Sequence, residues 1–397
     1  ELKNFLQKNI KISMNINAEI KKRKKENLFR ERKVINSAQG PQIIIGDEKF
    51  LNFSSNDYLG FANNEKLKRR MIEAVHKYGI GAGSSQLMTG YIESHERLEK
   101  KISKFFSKKK SLIFSSGYHA NLAIASALTN KNTIILQDKL SHASLVDSAL
   151  LSKAKLVRYK HNDLSHLKSL LEKYKNYEQI IMTDGVFSMD GDCAPLKEIA
   201  KLCRTYKALF IVDDAHGIGV LGKQGAGLLE ELGLEKEVDL LIGTFGKSFG
   251  AAGAFIAGRE TLIELFIQKA RTYIYTTALL PSLAETIAYT LDLTKKSHEL
   301  RMHIKELVAY YKKLAKKSGL QASEFNNHIQ PLIIGDANET IQLSKALYKK
   351  NILVSAIRPP TVPRGTSRLR ISITAAHTKK DISSLVNAVS NILDERI

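Results

Sequence analysis

Cysteine is nearly absent from the 397 residues, with Cys193 and Cys203 the two examples. Two thiols make no disulfide framework, so a cross-linked secreted fold is excluded and a reducing cytosol suits the chain. Long apolar runs are missing too. No stretch approaches the roughly 18–20 residues of a membrane span, and the polar, lysine-rich start has no apolar signal-peptide centre. We therefore expect a cytoplasmic protein without a membrane partner. Internal repeats, low-complexity tracts and long linkers are also lacking, which excludes solenoids and disordered chains.

Acidic residues are in short supply: 40 Asp and Glu face 61 Lys and Arg, leaving a net charge of +21. That excess raises nucleic acid as a partner. The charge is spread, however, as in Lys295-Lys296, Lys312-Lys313, Lys316-Lys317 and Lys379-Lys380, and no nucleic-acid motif or aromatic stacking series accompanies it. We expect no nucleic-acid partner and read the excess as a lysine-biased composition, able to attract an acidic partner. The densest cluster, Lys21-Lys22-Arg23-Lys24-Lys25, falls on an expected N-terminal helix. Such a cluster is more often a solvated face than a site.

What is present is ordinary globular material, 43% hydrophobic and too long for one small core. Residues 1–50 read as a basic helix and extension with a hairpin-like run, Gln42–Phe50. Residues 51–285 read as a large domain in which helical and strand-like stretches alternate. Its apolar runs, Ser111–Phe114, Thr133–Leu136, Leu156–Tyr159, Gln179–Thr183, Leu209–Val212 and Leu240–Gly243, are short and non-alternating. Strands buried on both faces of a mostly parallel sheet have this pattern. Residues 286–397 read as a smaller C-terminal α/β domain, with strands at Gln330–Ile334, Ile352–Ala356 and Leu369–Ile373.

Within this frame Lys247, in Thr244-Phe245-Gly246-Lys247-Ser248-Phe249-Gly250, stands at the end of an expected buried strand. Lysine is rarely buried unless its charge is paired or consumed. A desolvated lysine has a depressed pKa and can form a Schiff base with a carbonyl cofactor. Gly246-Lys247-Ser248 also invites a phosphate-binding loop, but that motif needs glycine five positions before Gly246, where Leu241 stands. Another expected strand ends in Asp213-Asp214-Ala215-His216-Gly217. Acidic groups at strand carboxyl ends lie where open α/β sheets bind ligands. Pyridoxal phosphate (PLP) needs a carboxylate beside its pyridine nitrogen. Alone, Asp213 reads more simply as a turn cap. Gly217–Gly222 matches G-x-G-x-x-G but runs on into a glycine-rich loop rather than a helix, so a dinucleotide site is rejected.

Six stretches in order carry a resemblance: Asn52–Gly60, Ser116–Asn121, Leu140–Ser144, Gly185–Asp192, and the Asp213 and Lys247 segments. Together they resemble the α-oxoamine synthases, PLP enzymes of the aspartate-aminotransferase fold (fold type I). Members condense an amino acid with an acyl thioester. Ile357–Pro363 and Arg368-Leu369-Arg370 look most like the biotin-pathway member, which joins L-alanine to a pimeloyl thioester carried by coenzyme A or an acyl carrier protein. Relatives acting on glycine with acetyl-CoA use the same core. The resemblance implies a homodimer with shared active sites and assigns catalysis to Lys247, His142 and Asp213. For the cofactor it implies stacking by His142, contact with the phenolic oxygen by His216 with Ser188 at that edge, and phosphate binding by Gly117, Tyr118 and Thr244. Thr276 and Thr277 would reach the neighbouring subunit's phosphate. On the substrate side it implies Arg370 with Asn56 for the carboxylate, Arg358 and Thr361 shaping the acyl side, and Arg30. Strand alternation puts Arg368 and Arg370 on one face, so spacing does not choose between them.

Overall fold

The computed structural model describes residues 16–395. After a helical stretch over residues 16–25 comes a hairpin of β1 (Gln42–Ile45) and β2 (Glu48–Asn52). Next come β3 (Lys110–Phe114), β4 (Thr133–Asp138), β5 (Lys155–Tyr159), β6 (Glu178–Asp184), β7 (Leu209–Asp213), β8 (Leu240–Thr244) and β9 (Ala254–Gly258). These seven form one sheet in the order β3-β9-β8-β7-β6-β4-β5. All neighbours run parallel except β9, which is antiparallel to both β3 and β8. The sheet is the mostly parallel one the sequence predicts, with the antiparallel strand added.

Strand geometry explains the non-alternating runs. Successive side chains point to opposite faces, and here both faces are covered. Ile181, Phe210, Val212 and Leu241 enter one core cluster, while Ile180, Met182, Ile211, Leu240 and Ile242 enter another on the opposite side. The central positions of β6, β7 and β8 are therefore apolar, whereas the edge strand β5 is partly exposed and carries Arg158. At the strand ends polarity appears, as Asp184 closing β6 and Asp213 closing β7 in register with one another.

The C-terminal unit holds an antiparallel sheet of β10 (Ile329–Gly335), β12 (Ser355–Ile357) and β13 (Ser367–Ser372), ordered β10-β13-β12. The short strand β11 (Ile352–Leu353) instead pairs with β2 of the hairpin. Two long helices lead in. Pro281–Lys296 carries proline in its first turn, where the missing N–H costs nothing, and His298–Lys317 follows. The core of this unit also takes in Phe53, Tyr58, Leu59 and Phe61. The 53–61 segment thus lies between the two sheets and delivers Asn56 and Tyr58 to the site. No helix among the described residues is long and apolar enough to cross a membrane.

Candidate active site

The carboxyl ends of β6, β7 and β8 and the N-terminus of helix Gly117–Leu128 surround a cavity of about 190 Å³. Gly117, Tyr118, Asn121, His142, Asp184, Asp213, His216, Thr244 and Lys247 all line it. Strand-end placement follows from topology: side chains beyond the last ladder bond face the crevice above the sheet.

Lys247 keeps part of its surface open to the cavity, while its ammonium is enclosed. Burial lowers its pKa to about 8; Asp213 opposes that shift and Arg370 adds to it. Its Nζ lies 2.7 Å from His216 Nε2. His216 Nδ1 in turn lies 2.7 Å from the Tyr58 hydroxyl. Burial, then Lys247 and Arg370, hold the His216 pKa well below its ordinary value, so the ring is neutral.

Asp213 accepts hydrogen bonds from Asn121 Nδ2 at 2.8 Å and from the Ala215 amide at 3.1 Å. The Asn121 amide group also reaches Ser144 Oγ at 2.8 Å. Beside Asp213 lies Asp184, which accepts the His142 amide at 3.0 Å. Burial, then the neighbouring Asp213, push the Asp184 pKa well above the carboxylate range. His142 caps helix Ala143–Leu151, with Nδ1 2.7 Å from Ser144 Oγ. Burial lowers its pKa as well, with Asp213 opposing and Lys247 adding.

Arg370 is the buried cation of the group. It donates from Nε to the Ser188 carbonyl at 2.6 Å, and from Nη1 to Ser372 Oγ at 2.7 Å and Asn56 Oδ1 at 3.2 Å. No carboxylate pairs with it among the described residues. Arg368, two residues earlier on the same face, pairs with Asp190. Spacing treats the two arginines alike, but their partners differ: Arg368 is paired with Asp190, and Arg370 with no carboxylate among the described residues.

These groups fit PLP. The Lys247 amine would hold the cofactor's carbonyl, the Asp213 carboxylate would face its ring nitrogen, and the glycine-led helix start with the Thr244 hydroxyl would take its phosphate. A Cβ built on Gly117 would sit in ordinary van der Waals contact with Thr244 Cβ, 3.8 Å away, so the helix start and the Thr244 hydroxyl lie side by side in this cradle. The buried Asn121 Oδ1 has no hydrogen-bond partner among the described residues.

The aminotransferase class I and II model matches residues 48–389. An 8-amino-7-oxononanoate synthase from Hahella chejuensis is 44% identical over 92% of this chain and 93% of its own. The chain belongs to the 8-amino-7-oxononanoate synthase family. Among solved structures, the 8-amino-7-oxononanoate synthase of Francisella tularensis is 32% identical with a TM-score of 0.77, covering 87% of this chain and 98% of that one. A lysine-to-alanine variant of serine palmitoyltransferase from S. paucimobilis, with a bound PLP–myriocin aldimine, is 28% identical with a TM-score of 0.90, covering 95% of this chain and 96% of that one. The chain has the PLP fold type I architecture, and PLP is its cofactor.

Of the residues this family resemblance implies, Lys247, Asp213, His142, His216, Gly117, Tyr118 and Thr244 come together around the cavity. Tyr118 keeps its ring largely exposed and bonds Asp147. Asn56 and Arg370 stand one hydrogen bond behind His216, through Tyr58. Ser188 contributes its carbonyl to Arg370. The others lie apart from the cavity lining. Thr276 and Thr277 sit in the segment before helix Pro281–Lys296, where Thr277 bridges to Ser85. Arg358 binds the carbonyls of Asn27 and Phe29, placing the arginine pair Arg358 and Arg30 near one another, and Thr361 closes a turn onto the Arg358 carbonyl.

Asn121, Asp184 and Tyr58 complete the site without having been singled out in the sequence. Each carried a signal. Asn121 and Tyr58 fall inside the resembling stretches, and Asp184 closes an apolar run as Asp213 does.

Proposed function

We propose that the chain condenses L-alanine with a pimeloyl thioester, giving 8-amino-7-oxononanoate, CO₂ and the free thiol carrier. The observation that carries this reading is Arg370: a buried guanidinium without a carboxylate, hydrogen-bonded through Tyr58 and His216 toward a desolvated Lys247. A planar fork of this kind suits an amino acid's carboxylate. Bound PLP supplies the electron sink for charge left at the amino acid's Cα. Lys247 holds the cofactor, removes the Cα proton at Nζ and later returns one. Asp213 sits where it keeps the ring nitrogen protonated, and His142 forms one wall of the pocket. Arg30, Arg358 and Thr361 shape the acyl side.

The working unit is a homodimer, and Thr276 and Thr277 reach the partner's phosphate. An exposed apolar surface supports this. Ile80, Leu87, Met88, Tyr91, Tyr275 and Leu280 are all solvent-exposed on segments tied together by the Ser85–Thr277 bridge and the Ala278-to-Ser84 hydrogen bond. Monomeric proteins rarely show so many large apolar groups together. Two free cysteines suit a cytoplasmic setting.

The test supplies the PLP-loaded enzyme with a pimeloyl thioester and, in turn, L-alanine, glycine and L-serine, with product mass as the readout. L-alanine giving 8-amino-7-oxononanoate is expected. Turnover of glycine with acetyl-CoA, and none of L-alanine, would move the chain to the glycine C-acetyltransferases.

A further inference from the structure

Between the carboxylate clamp and the lysine stands Tyr58, whose ring is fully buried. Its hydroxyl is within reach of three groups. It lies 3.0 Å from Asn56 Oδ1, 3.3 Å from Arg370 Nη2 and 2.7 Å from His216 Nδ1. A hydroxyl brings one proton and two lone pairs, and guanidinium only donates. Arg370 Nη1 also reaches Asn56 Oδ1, at 3.2 Å, which fixes that atom as the amide oxygen, an acceptor. Arg370 therefore takes one lone pair of the hydroxyl, and Asn56 takes its proton. The remaining lone pair faces His216 Nδ1, which satisfies it only by carrying a hydrogen. His216 Nε2 is then bare and accepts from the Lys247 ammonium 2.7 Å away. The reverse arrangement, with Tyr58 donating to Nδ1, leaves two acceptor oxygens 3.0 Å apart with no proton between them.

We propose that Tyr58 is a positioning residue that fixes His216 as the Nδ1–H tautomer, so that a bare Nε2 holds Lys247 from one side. Three features support this. Burial keeps the tyrosine protonated. His216 is neutral, so a tautomer exists to be chosen. His328 packs edge-on against the Tyr58 ring with centroids 4.0 Å apart, and neither of its buried ring nitrogens has a hydrogen-bond partner among the described residues. It walls the ring without competing for the hydroxyl. One hydroxyl thereby joins the carboxylate clamp to the lysine, and the order of its hydrogen bonds sets whether the His216 nitrogen that faces Lys247 carries a hydrogen.

The decisive measurement uses the cofactor-free full chain labelled with ¹⁵N-histidine, in which two-bond nitrogen–proton couplings report the protonated ring nitrogen. A His216→Gln sample assigns the signal. The wild type is expected to show His216 with its proton on Nδ1. Tyr58→Phe, which keeps the ring, is expected to shift His216 toward Nε2–H or a mixture. A wild-type Nε2–H signal, or an identical tautomer in Tyr58→Phe, overturns the proposal, and the wild-type arm needs no variant to fold. A kinetic arm rests on the L-alanine reading above. In Tyr58→Phe, kcat should fall on the order of tenfold, with KM for L-alanine changed by less than about twofold. A raised KM at constant kcat would assign Tyr58 to the carboxylate clamp alone. Absence of L-alanine turnover in the wild type would sink the alanine reading while leaving the tautomer result standing.

Discussion

At the scale of single residues, the site joins groups the sequence exposes with partners it conceals. Lys247 is legible because a lysine at the end of a buried strand suits PLP chemistry, whereas Asp213 and His142 are legible only through the family resemblance. The hydrogen bond from Asn121 to Asp213 spans 92 positions. No local pattern encodes it; only the fold brings the two together. Arg370 against Arg368 is a similar case, decided by Asp190 in a distant turn. Lys247→Ala should leave the protein colourless after PLP treatment, with no cofactor fixed by borohydride, and without turnover. In the wild type, only the uncharged amine attacks a carbonyl. With the lysine pKa lowered to about 8, capture of PLP by the cofactor-free chain should quicken as pH rises through 8 and level off above it. A rate that keeps climbing to pH 10 would show an unshifted lysine. Arg370→Lys keeps the charge and loses the fork, so KM for L-alanine should rise at least about tenfold. The matching Arg368→Lys change should alter KM far less, because Arg368 is already paired.

Elements were legible where their periodicity was strong. Each of the six apolar runs became a strand of the central sheet. The inner ones are buried on both faces as expected, but Leu156–Tyr159 forms the edge strand β5 and is largely exposed or half-buried, since nothing among the described residues pairs beyond it. β9, Ala254-Phe255-Ile256-Ala257-Gly258, reads in sequence as a small-residue stretch. Its antiparallel place between β3 and β8 is fixed by tertiary pairing rather than by propensity. A second feature of this scale is the tie between β4 and the 187–193 turn. His161 bridges Asp138 and Asp192, at 2.9 Å to each. Burial alone would lower its pKa, but hydrogen bonds and charge from the two aspartates raise it to about 10. A pKa raised on folding means the native state holds the proton more tightly than the unfolded chain, whose histidine titrates near about 6.5. The stabilisation is therefore complete below about pH 6.5 and fades as pH climbs toward 10. Denaturant melts of wild type and His161→Asn at a series of pH values should show a stability gap that shrinks over this window. A gap constant with pH would remove the ion pairs from the account.

At the scale of the whole molecule, the +21 charge and the buried site act on different substrates. L-alanine carries no net charge, and in the proposed reading its carboxylate would meet the buried Arg370 guanidinium, where salt screens little. The thioester arrives on coenzyme A, which bears phosphates, or on an acyl carrier protein, usually acidic. Either approaches over a surface where lysines outnumber acids. Exposed charges further apart than the Debye length, about 8 Å at physiological ionic strength, are largely screened from one another. Steering of a charged carrier thus works mainly at low salt. Raising ionic strength should therefore raise KM for the acyl donor and leave KM for L-alanine nearly constant. The arginine pair Arg30 and Arg358 offers a local check. Arg30→Gln should flatten the salt dependence for the acyl donor if this pair stands at its entrance. Equal salt effects on both substrates would instead leave the charge without a part in substrate capture, as a property of composition alone.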